Sequence, residues 1–254
     1  MTPADILARY DAQMRNDPPP EPGVRHERTG GVVRAVGRYN CILYSQLKAD
    51  NADAAIAAQA AYFRDARTEV EWKVYAHDLP ADLGPHLAYA GFIADNAETL
   101  MAFDLANDVA AGAMPENIVV RRIHDAQGLA DLIAVNATIW DHGDVSRNEM
   151  YAQRLHDPSL GLYVAYAGDR PVAAARLELP HDRVFAGLWG GCTLPAFRGR
   201  GIFRAIVAAR AQAARERGFQ FLNVDAAETS RPILERLGFI ALCGVTGWRL
   251  KAAI

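Results

Sequence analysis

The sequence has 254 residues, of which 51% are hydrophobic and 22% are charged, and its formal net charge is −3. This size and composition are typical of a globular protein with one large domain or two small ones. The weak negative charge gives no sign of a nucleic-acid-binding or membrane-binding surface. Cys41, Cys192 and Cys243 are far apart and form no CxxC pair, so we expect no metal site and a reducing compartment.

The N-terminal segment lacks a basic end followed by an apolar core, so we expect no signal peptide. No apolar run approaches the roughly 18 residues that a membrane helix needs. We therefore expect a soluble, cytoplasmic protein.

The first half of the chain alternates strand and helix patterns. Pro18-Pro19-Pro20 ends a short amphipathic helix, and Gly30-Gly31 makes a turn in an antiparallel meander of three strands. The predicted elements are helix 3–15, strands 23–28, 31–38 and 40–47, helix 52–67, strand 70–75, helix 79–90 and strand 101–105. Residues 106–117, which carry Gly, Ala and Pro, are predicted to be a linker.

The second half repeats this order of elements. Its predicted elements are strand 118–123, helices 125–139 and 147–155, strands 161–167, 171–179 and 184–193, helix 202–217, strand 221–225, helix 229–237 and a final apolar segment 239–250. Three strands, a helix, a strand, a helix, Gly-Phe and a strand thus occur twice. The pattern indicates a weak internal repeat, judged on element order alone.

The segment TLPAFRGRGIFR, from Thr193 to Arg204, ends a strand and begins a long helix. Glycines allow the backbone to approach a ligand, a helix N-terminus presents free N–H groups, and arginines add positive charge. These features predict a phosphate-binding loop; the alternative is a plain strand–turn–helix joint with solvated arginines. The corresponding segment of the first half, Lys48–Asp53, has no glycine and two acids, which would repel phosphate.

Together with PILERLGF at 232–239, this segment resembles the GNAT-type N-acetyltransferases, which use acetyl-coenzyme A. The resemblance covers residues 118–250 well. It implies an α/β (α+β) fold with two GNAT-like three-layer domains, each with a mixed, mostly antiparallel central sheet. We expect a degenerate domain without a cofactor loop at residues 1–110, packed on a catalytic domain at residues 117–254.

The resemblance implies that Arg198–Phe203 wraps the coenzyme A pyrophosphate. Phe203 stands where the family has Gly or Ala, and we expect it to pack inward. Strand 188–193 would pair with the pantetheine arm, and its backbone N–H groups would hold the oxyanion. Gly190-Gly191 predicts a β-bulge, with or without a catalytic meaning. The implied cofactor-binding residues are Gly191, Cys192, Thr193, Arg198, Gly199, Arg200, Gly201, Ile202, Phe203, Arg204 and Ser230.

Acyl transfer to an amine requires that the ammonium lose a proton, and the leaving thiolate can gain one. Leu234 stands where many GNAT enzymes have an acid Tyr, and Ala227 where they often have Asn. The candidate base is Asp225. The alternatives are a water chain or the carboxylates of Glu178, Asp182 and Glu228.

Cys192 is either a nucleophile that carries the acyl group or an inert thiol in the core. Ser230 either contacts the thiol region of the cofactor or is the N-cap of the following helix.

Trp140, His142 and Asp144 lie in a loop that helps to shape the acceptor pocket in the family. His142 is a candidate proton relay, or simply a solvated loop residue. The sequence therefore predicts an acetyl-CoA-dependent N-acetyltransferase without a metal, whose acceptor is a small-molecule or peptide amine, and it leaves a homodimer open. The alternatives are an acyl-CoA-binding regulatory module without turnover, and an acyltransferase that uses an oxygen acceptor or a longer acyl chain.

Overall fold

The computed structural model describes residues 1–113, 115–140 and 145–252. The helices are α1 Pro3–Tyr10, α2 Ala52–Asp65, α3 Leu83–Tyr89, α4 Ala126–Ile139, α5 Val145–Gln153, α6 Ile202–Glu216 and α7 Arg231–Arg236. The strands are β1 Val24–Thr29, β2 Val32–Gly37, β3 Cys41–Ser45, β4 Val70–Tyr75, β5 Ile93–Ala94, β6 Glu98–Asp104, β7 Ile118–Arg122, β8 Leu160–Ala167, β9 Arg170–Glu178, β10 Phe185–Thr193, β11 Phe221–Ala227 and β12 Ile240–Leu250.

The chain divides into two compact units that are not simple halves. The first unit comprises Met1–Met101, Asp225–Arg231 and Ile240–Ile254. The second unit comprises Ala102–Val224 and Pro232–Phe239. The expected division at residues 110 and 117 does not include this return of the C-terminal segment to the first unit.

The first unit contains a mixed sheet with the strand order β1-β2-β3-β4-β12, and β5 also pairs with β12. The pair β3–β4 is parallel, and the pairs β1–β2, β2–β3, β4–β12 and β5–β12 are antiparallel. Helix α2 buries Ile56, Ala60 and Phe63, which recur at helical spacing and therefore share one face. They pack with Trp72 and with Leu87 of α3 in one apolar cluster.

The second unit has helices on both faces of its sheet. Its strand order is β11-β10-β9-β8-β7, with β10 and β11 parallel and the other pairs antiparallel. Side chains alternate between the two faces of a strand, so neighbouring alanines of β9 pack against different helices. Ala173 and Ala175 pack with α6, whereas Ala174 packs in the cluster that includes α4. This three-layer, mostly antiparallel arrangement confirms the predicted fold class.

Helix α6 ends where the sequence predicts. Gly218 has a φ of +80° and its N–H donates to the carbonyl of Arg215, while the N–H of Phe219 donates to the carbonyl of Ala214. These two bonds form a Schellman motif, which requires a left-handed residue and therefore favours glycine. The predicted element order is present in both halves, and most element ends lie within a few residues of the predicted ones.

A buried ion pair stabilises the first unit. The side chains of Arg15 and Asp78 are each 2% exposed, and two bonds of 2.8 and 2.7 Å join the guanidinium to the carboxylate. The guanidinium also lies 3.7 Å from the ring centroid of Tyr75. The same guanidinium donates a third hydrogen bond, of 2.7 Å, to the carboxylate of Asp11, which is more exposed than Asp78.

Removing one partner of this pair leaves the other charge buried without compensation. We therefore expect Asp78→Ala to lower the free energy of unfolding by about 3–5 kcal/mol. Asp11→Ala is the control, because Asp11 is 19% exposed and its removal leaves Asp78 paired with the same arginine. It also breaks the 2.6 Å bond between Asp11 and His77, so its effect should be about 1–2 kcal/mol. Equilibrium unfolding in urea measures both; equal losses would contradict the assignment.

Candidate functional site

Strand β10 carries an irregularity where two glycines follow each other. Trp189 pairs with Arg176 of β9, and the next pair is Cys192 with Ala174, so β10 has one residue more than β9 between these pairs. Gly190 has a φ of +56°, a conformation that glycine adopts without steric cost. The predicted β-bulge at Gly190-Gly191 is therefore confirmed.

The pairing of β10 with β11 ends before this bulge. The parallel register covers Phe185 to Gly187 of β10 and Phe221 to Asn223 of β11. Beyond Gly187, the side of β10 that faces away from β9 is not paired with β11. Residues 188–193 thus offer backbone N–H and C=O groups to an extended ligand, in the way that a sheet edge accepts another strand.

The loop after β10 leads through a 3₁₀ turn, Pro195–Phe197, into α6. Gly199 and Gly201 have φ values of +76° and +80°, and Gly201 is the N-cap residue of α6. No side chain of the described residues caps this helix start. When left-handed residues alternate with other residues, successive backbone N–H groups point toward the same place. The first N–H groups of a helix also have no hydrogen-bond partner within the helix. The start of α6 can therefore bind an anion through its backbone N–H groups.

Arginines surround this helix start. Arg198 donates from Nε to the carbonyl of Thr193 at 3.1 Å, which closes the loop on the end of β10. The guanidinium groups of Arg200 and Arg170 each lie 5.1 Å from the ring centroid of Phe197. Arg204 is exposed on the first turn of α6. Arg170, on β9, was missed in the sequence, where it follows an ordinary Gly-Asp turn and carries no motif.

The two apolar residues that begin α6 anchor the loop. Ile202 is buried and packs with Ile206 and the alanines of β9. Phe203 is half-buried, and a Cβ atom placed on Gly191 would lie 3.2 Å from its ring. Phe203 therefore packs inward against the bulge, as expected. Ile202 would meet a ligand through its backbone, because its side chain lies in the core.

Cys192 is a core thiol in this structure. It is 8% exposed, and its Sγ–H donates to Oδ1 of Asn136 on α4 at 3.5 Å. Burial raises the pKa of Cys192 to about 11, so the thiol stays protonated near neutral pH. The hydroxyl of the next residue, Thr193, is buried and has no hydrogen-bond partner among the described residues.

Asp225 and Ser230 belong to the first unit. The side chain of Asp225 is 3% exposed, and its Oδ2 accepts a bond from the ammonium group of Lys73. Burial alone would lower the pKa of Lys73, but the charges of Asp225 and Glu71 raise it. The other carboxylate oxygen, Oδ1, is buried without a partner in the described part of the chain. Ser230 directly precedes α7 and donates its hydroxyl to the carbonyl of Ala227 at 3.0 Å.

Comparison with known proteins identifies a family domain in part of the chain. Residues 126–239 match the family model described as the acetyltransferase (GNAT) family. The chain contains a GNAT-family domain. This membership supports acyl transfer as the general chemistry and an acyl-coenzyme A as the donor. No curated protein matches the chain.

Solved structures of low sequence identity share the fold over nearly the whole chain. A GCN5-related N-acetyltransferase from Kribbella flavida has a TM-score of 0.67 at 16% identity, with 97% of this chain and 93% of that chain covered. One from Sphaerobacter thermophilus has a TM-score of 0.64 at 13% identity, covering 99% and 86%. A tandem GNAT protein from the clavulanic acid biosynthesis pathway has a TM-score of 0.62 at 14% identity, covering 92% and 85%.

The remaining candidates of the GNAT domain are less well placed. Leu234, at the position of the family's acid Tyr, is buried in the core. Of the alternative carboxylates, Asp182 and Glu228 are exposed to solvent. Glu178 forms an ion pair with Arg176, at 3.2 Å from its Nε. Trp140 is partly exposed with Arg147 above its ring. His142 and Asp144 lie outside the described residues.

Within the described residues, no cluster of His, Cys, Asp or Glu could hold a metal ion, and no helix could span a membrane.

The helix start of the first half differs from that of the GNAT domain. The N–H of Lys48 donates to Oδ1 of Asn51 at 2.9 Å, so an internal bond closes this loop. Asp53, in the first turn of α2, lies 2.6 Å from Nδ1 of His86, and this hydrogen bond raises the pKa of His86. A carboxylate therefore already occupies the positive end of this helix.

The burial of Cys192 leads to a test of the acyl-cysteine hypothesis. Because burial raises the pKa values of Cys41 and Cys243 to about 12 as well, we expect all three thiols to resist alkylation in the native protein at pH 8 and to react after denaturation. Cys192→Ser keeps a donor for Asn136 and should retain turnover of the acyl-coenzyme A within about 3-fold. A loss of more than about 100-fold would instead support a covalent nucleophile.

Proposed function

We propose that the chain transfers an acetyl group from acetyl-coenzyme A to an amine, with the donor bound by the GNAT domain. The observation that carries this proposal is the helix start of α6, where Gly199 and Gly201 have positive φ and several arginines lie close by. Among the described residues, no side chain caps this helix. A pyrophosphate would accept from the free N–H groups and pair with Arg200 and Arg204.

The open side of β10 suits the rest of the donor. The pantetheine arm carries amide groups, and these would pair with the unpaired backbone of residues 188–193. The thioester carbonyl would then lie at the bulge, where the ladder with β9 is interrupted and N–H groups are available to hold the oxyanion. Gly191, Cys192 and Thr193 contribute through their backbones.

As general base we propose Asp225, at Oδ1. Lys73 occupies the other oxygen, and Oδ1 is the one left to accept a proton. Asp225 follows Asn223, the last residue of β11 that pairs with β10, by two residues and so faces the same side of the strand. The departing thiolate of coenzyme A is a good leaving group, so transfer proceeds without an acid at the position of Leu234.

We further propose that the first half binds no coenzyme A and that the acceptor is a small-molecule or peptide amine. The carboxylate of Asp53 in the first turn of α2 supports the first point, because its negative charge would repel a phosphate at this helix start. The free state of all three cysteines supports a reducing compartment such as the cytoplasm.

Gly201→Asp tests the phosphate loop. The new carboxylate would repel the pyrophosphate at the helix start, so we expect the Kd for acetyl-coenzyme A to rise at least about 100-fold. Isothermal titration calorimetry measures the affinity, and the wild-type protein should bind one molecule per chain.

The matched control is Gly168→Asp, which places the same residue at another left-handed glycine, with φ +61° and open space around it. This variant should bind acetyl-coenzyme A like the wild type. Equal affinities of Gly201→Asp and the wild type would contradict the assignment of the loop, and a stoichiometry of two would contradict the absence of a site in the first half.

Turnover separates the proposed enzyme from a binding module. Release of the coenzyme A thiol is measured across a panel of amines with the wild-type protein, and Gly201→Asp is the negative control. Thiol release that depends on one amine class supports the transferase. Tight binding of acetyl-coenzyme A without release on any amine would establish a regulatory module instead.

Asp225→Asn tests the base. Loss of a positioned base should lower kcat by about 10²–10⁴-fold while the Kd for acetyl-coenzyme A changes little. The variant also removes the carboxylate that forms an ion pair with Lys73, so it will be less stable. Lys73→Arg is the control that disturbs the same ion pair but keeps a positive charge beside the carboxylate. Equal kcat losses in the two variants would assign Asp225 a structural role.

A further inference from the structure

Arg210 is a buried cation that forms no ion pair within the described part of the chain. It lies on the buried face of α6 and is 2% exposed. Its hydrogen bonds go to two backbone carbonyls: Nη1 donates to Arg176 at 3.0 Å and Nε donates to Ile206 at 3.4 Å. Burial lowers the pKa of Arg210 to about 10, so the group remains charged near neutral pH.

A charge in this position is costly for the fold. Buried charged groups are normally paired, because removal from water without a counter-charge is expensive. Helix α6 supplies a purely apolar face at the neighbouring buried positions Ile206, Val207 and Ala211. The carbonyls of Arg176 and Ile206 require N–H donors but no counter-charge. No ion pair among the described residues therefore accounts for the positive charge of Arg210.

The guanidinium lies against the β-bulge of the donor strand. Arg176 is the partner of Trp189, which is the last residue of β10 in register before the bulge. A Cβ atom placed on Gly191 would lie 3.6 Å from Nη2 of Arg210. Phe203 packs on the same side of Gly191, so the cation and an aromatic ring together support the bulge from the side of α6.

We propose that Arg210 is a positioning residue whose buried positive charge, acting through the bulge, stabilises the negative charge that forms during acyl transfer. This inference rests on the proposed function. The amine lone pair forms a bond to the thioester carbonyl carbon, and the carbonyl electron pair moves to oxygen. When the oxyanion collapses, the C–S bond breaks and its electron pair leaves as thiolate. The base takes one proton from the ammonium before the attack, and the second proton that the nitrogen loses goes to the departing thiolate or to water. Both anionic species form at the bulge that Arg210 supports.

Two substitutions separate charge from packing. Arg210→Gln removes the charge and keeps an N–H donor only at the depth of Nε, which bonds to the carbonyl of Ile206. Arg210→Lys keeps the charge and loses the planar fork. At pH 7 we expect kcat of the Gln variant to fall by about 10- to 100-fold, with the Kd for acetyl-coenzyme A nearly unchanged. The Lys variant should retain most of the wild-type kcat.

Thermal unfolding gives a readout that does not require turnover. Neither variant keeps the planar fork, so their comparison isolates the charge. If the charge serves the reaction rather than the fold, the Gln variant should unfold at a Tm no lower than that of the Lys variant. A Tm of the Gln variant clearly below that of the Lys variant would show that the charge is structural and would overturn the proposal. So would a kcat of the Gln variant equal to that of the wild type.

The same experiments distinguish this proposal from the proposed function. A wild-type protein that releases no thiol from acetyl-coenzyme A with any amine refutes the transferase, and Arg210 then has no charge to stabilise, so the positioning role fails with it. A wild-type protein that turns over, together with a fully active Gln variant, leaves the transferase intact and refutes only the role of Arg210.

Discussion

The second unit depends on one extra residue in β10. In a regular strand, side chains alternate between faces, and a single inserted residue shifts every later side chain to the other face. Because of the bulge, Cys192 lies on the same face as Trp189 and bonds to Asn136 of α4. Gly191 is turned toward α6, where its missing side chain leaves room for Phe203 and Arg210. The bulge therefore sets both the contacts of the donor strand and the direction in which the loop leaves it.

The distribution of paired and unpaired cations distinguishes the two units. In the first unit, the well-buried cations have carboxylate partners: Arg15 pairs with Asp78, Arg34 with Glu27, and Lys73 with Asp225. Around β10 and the start of α6, the positive charge of Arg210 is not neutralised by an ion pair within the described residues, and the helix start is uncapped. Folding alone favours the first arrangement. The second leaves positive potential where an anionic cofactor is expected to bind.

The sequence predicts features that depend on local pattern. The bulge follows from Gly190-Gly191, the end of α6 from Gly218, and the helix faces from apolar spacing. Features that depend on residues far apart in the sequence cannot be predicted from the local sequence pattern. Arg210 stands in the run AARAQAARER, where nothing separates the buried arginine from its exposed neighbours. The predicted strand 221–225 ends at Asp225, but the bond of Asp225 to Lys73, 152 positions away, arises only from the fold. The pairing of β12 with β4 was missed for the same reason.

The pairing of β12 has a consequence for biosynthesis. Residues 245–250 of β12 are the antiparallel partners of residues 70–75 in β4, so the first unit receives this strand from a segment that follows the second unit in the chain. While the ribosome is still making the second unit, that edge of β4 has no partner. An unpaired edge is prone to join other chains. The first unit therefore completes its sheet only after the second unit has been translated, and a chain that stops before β12 would lack a strand of the unit that was translated first.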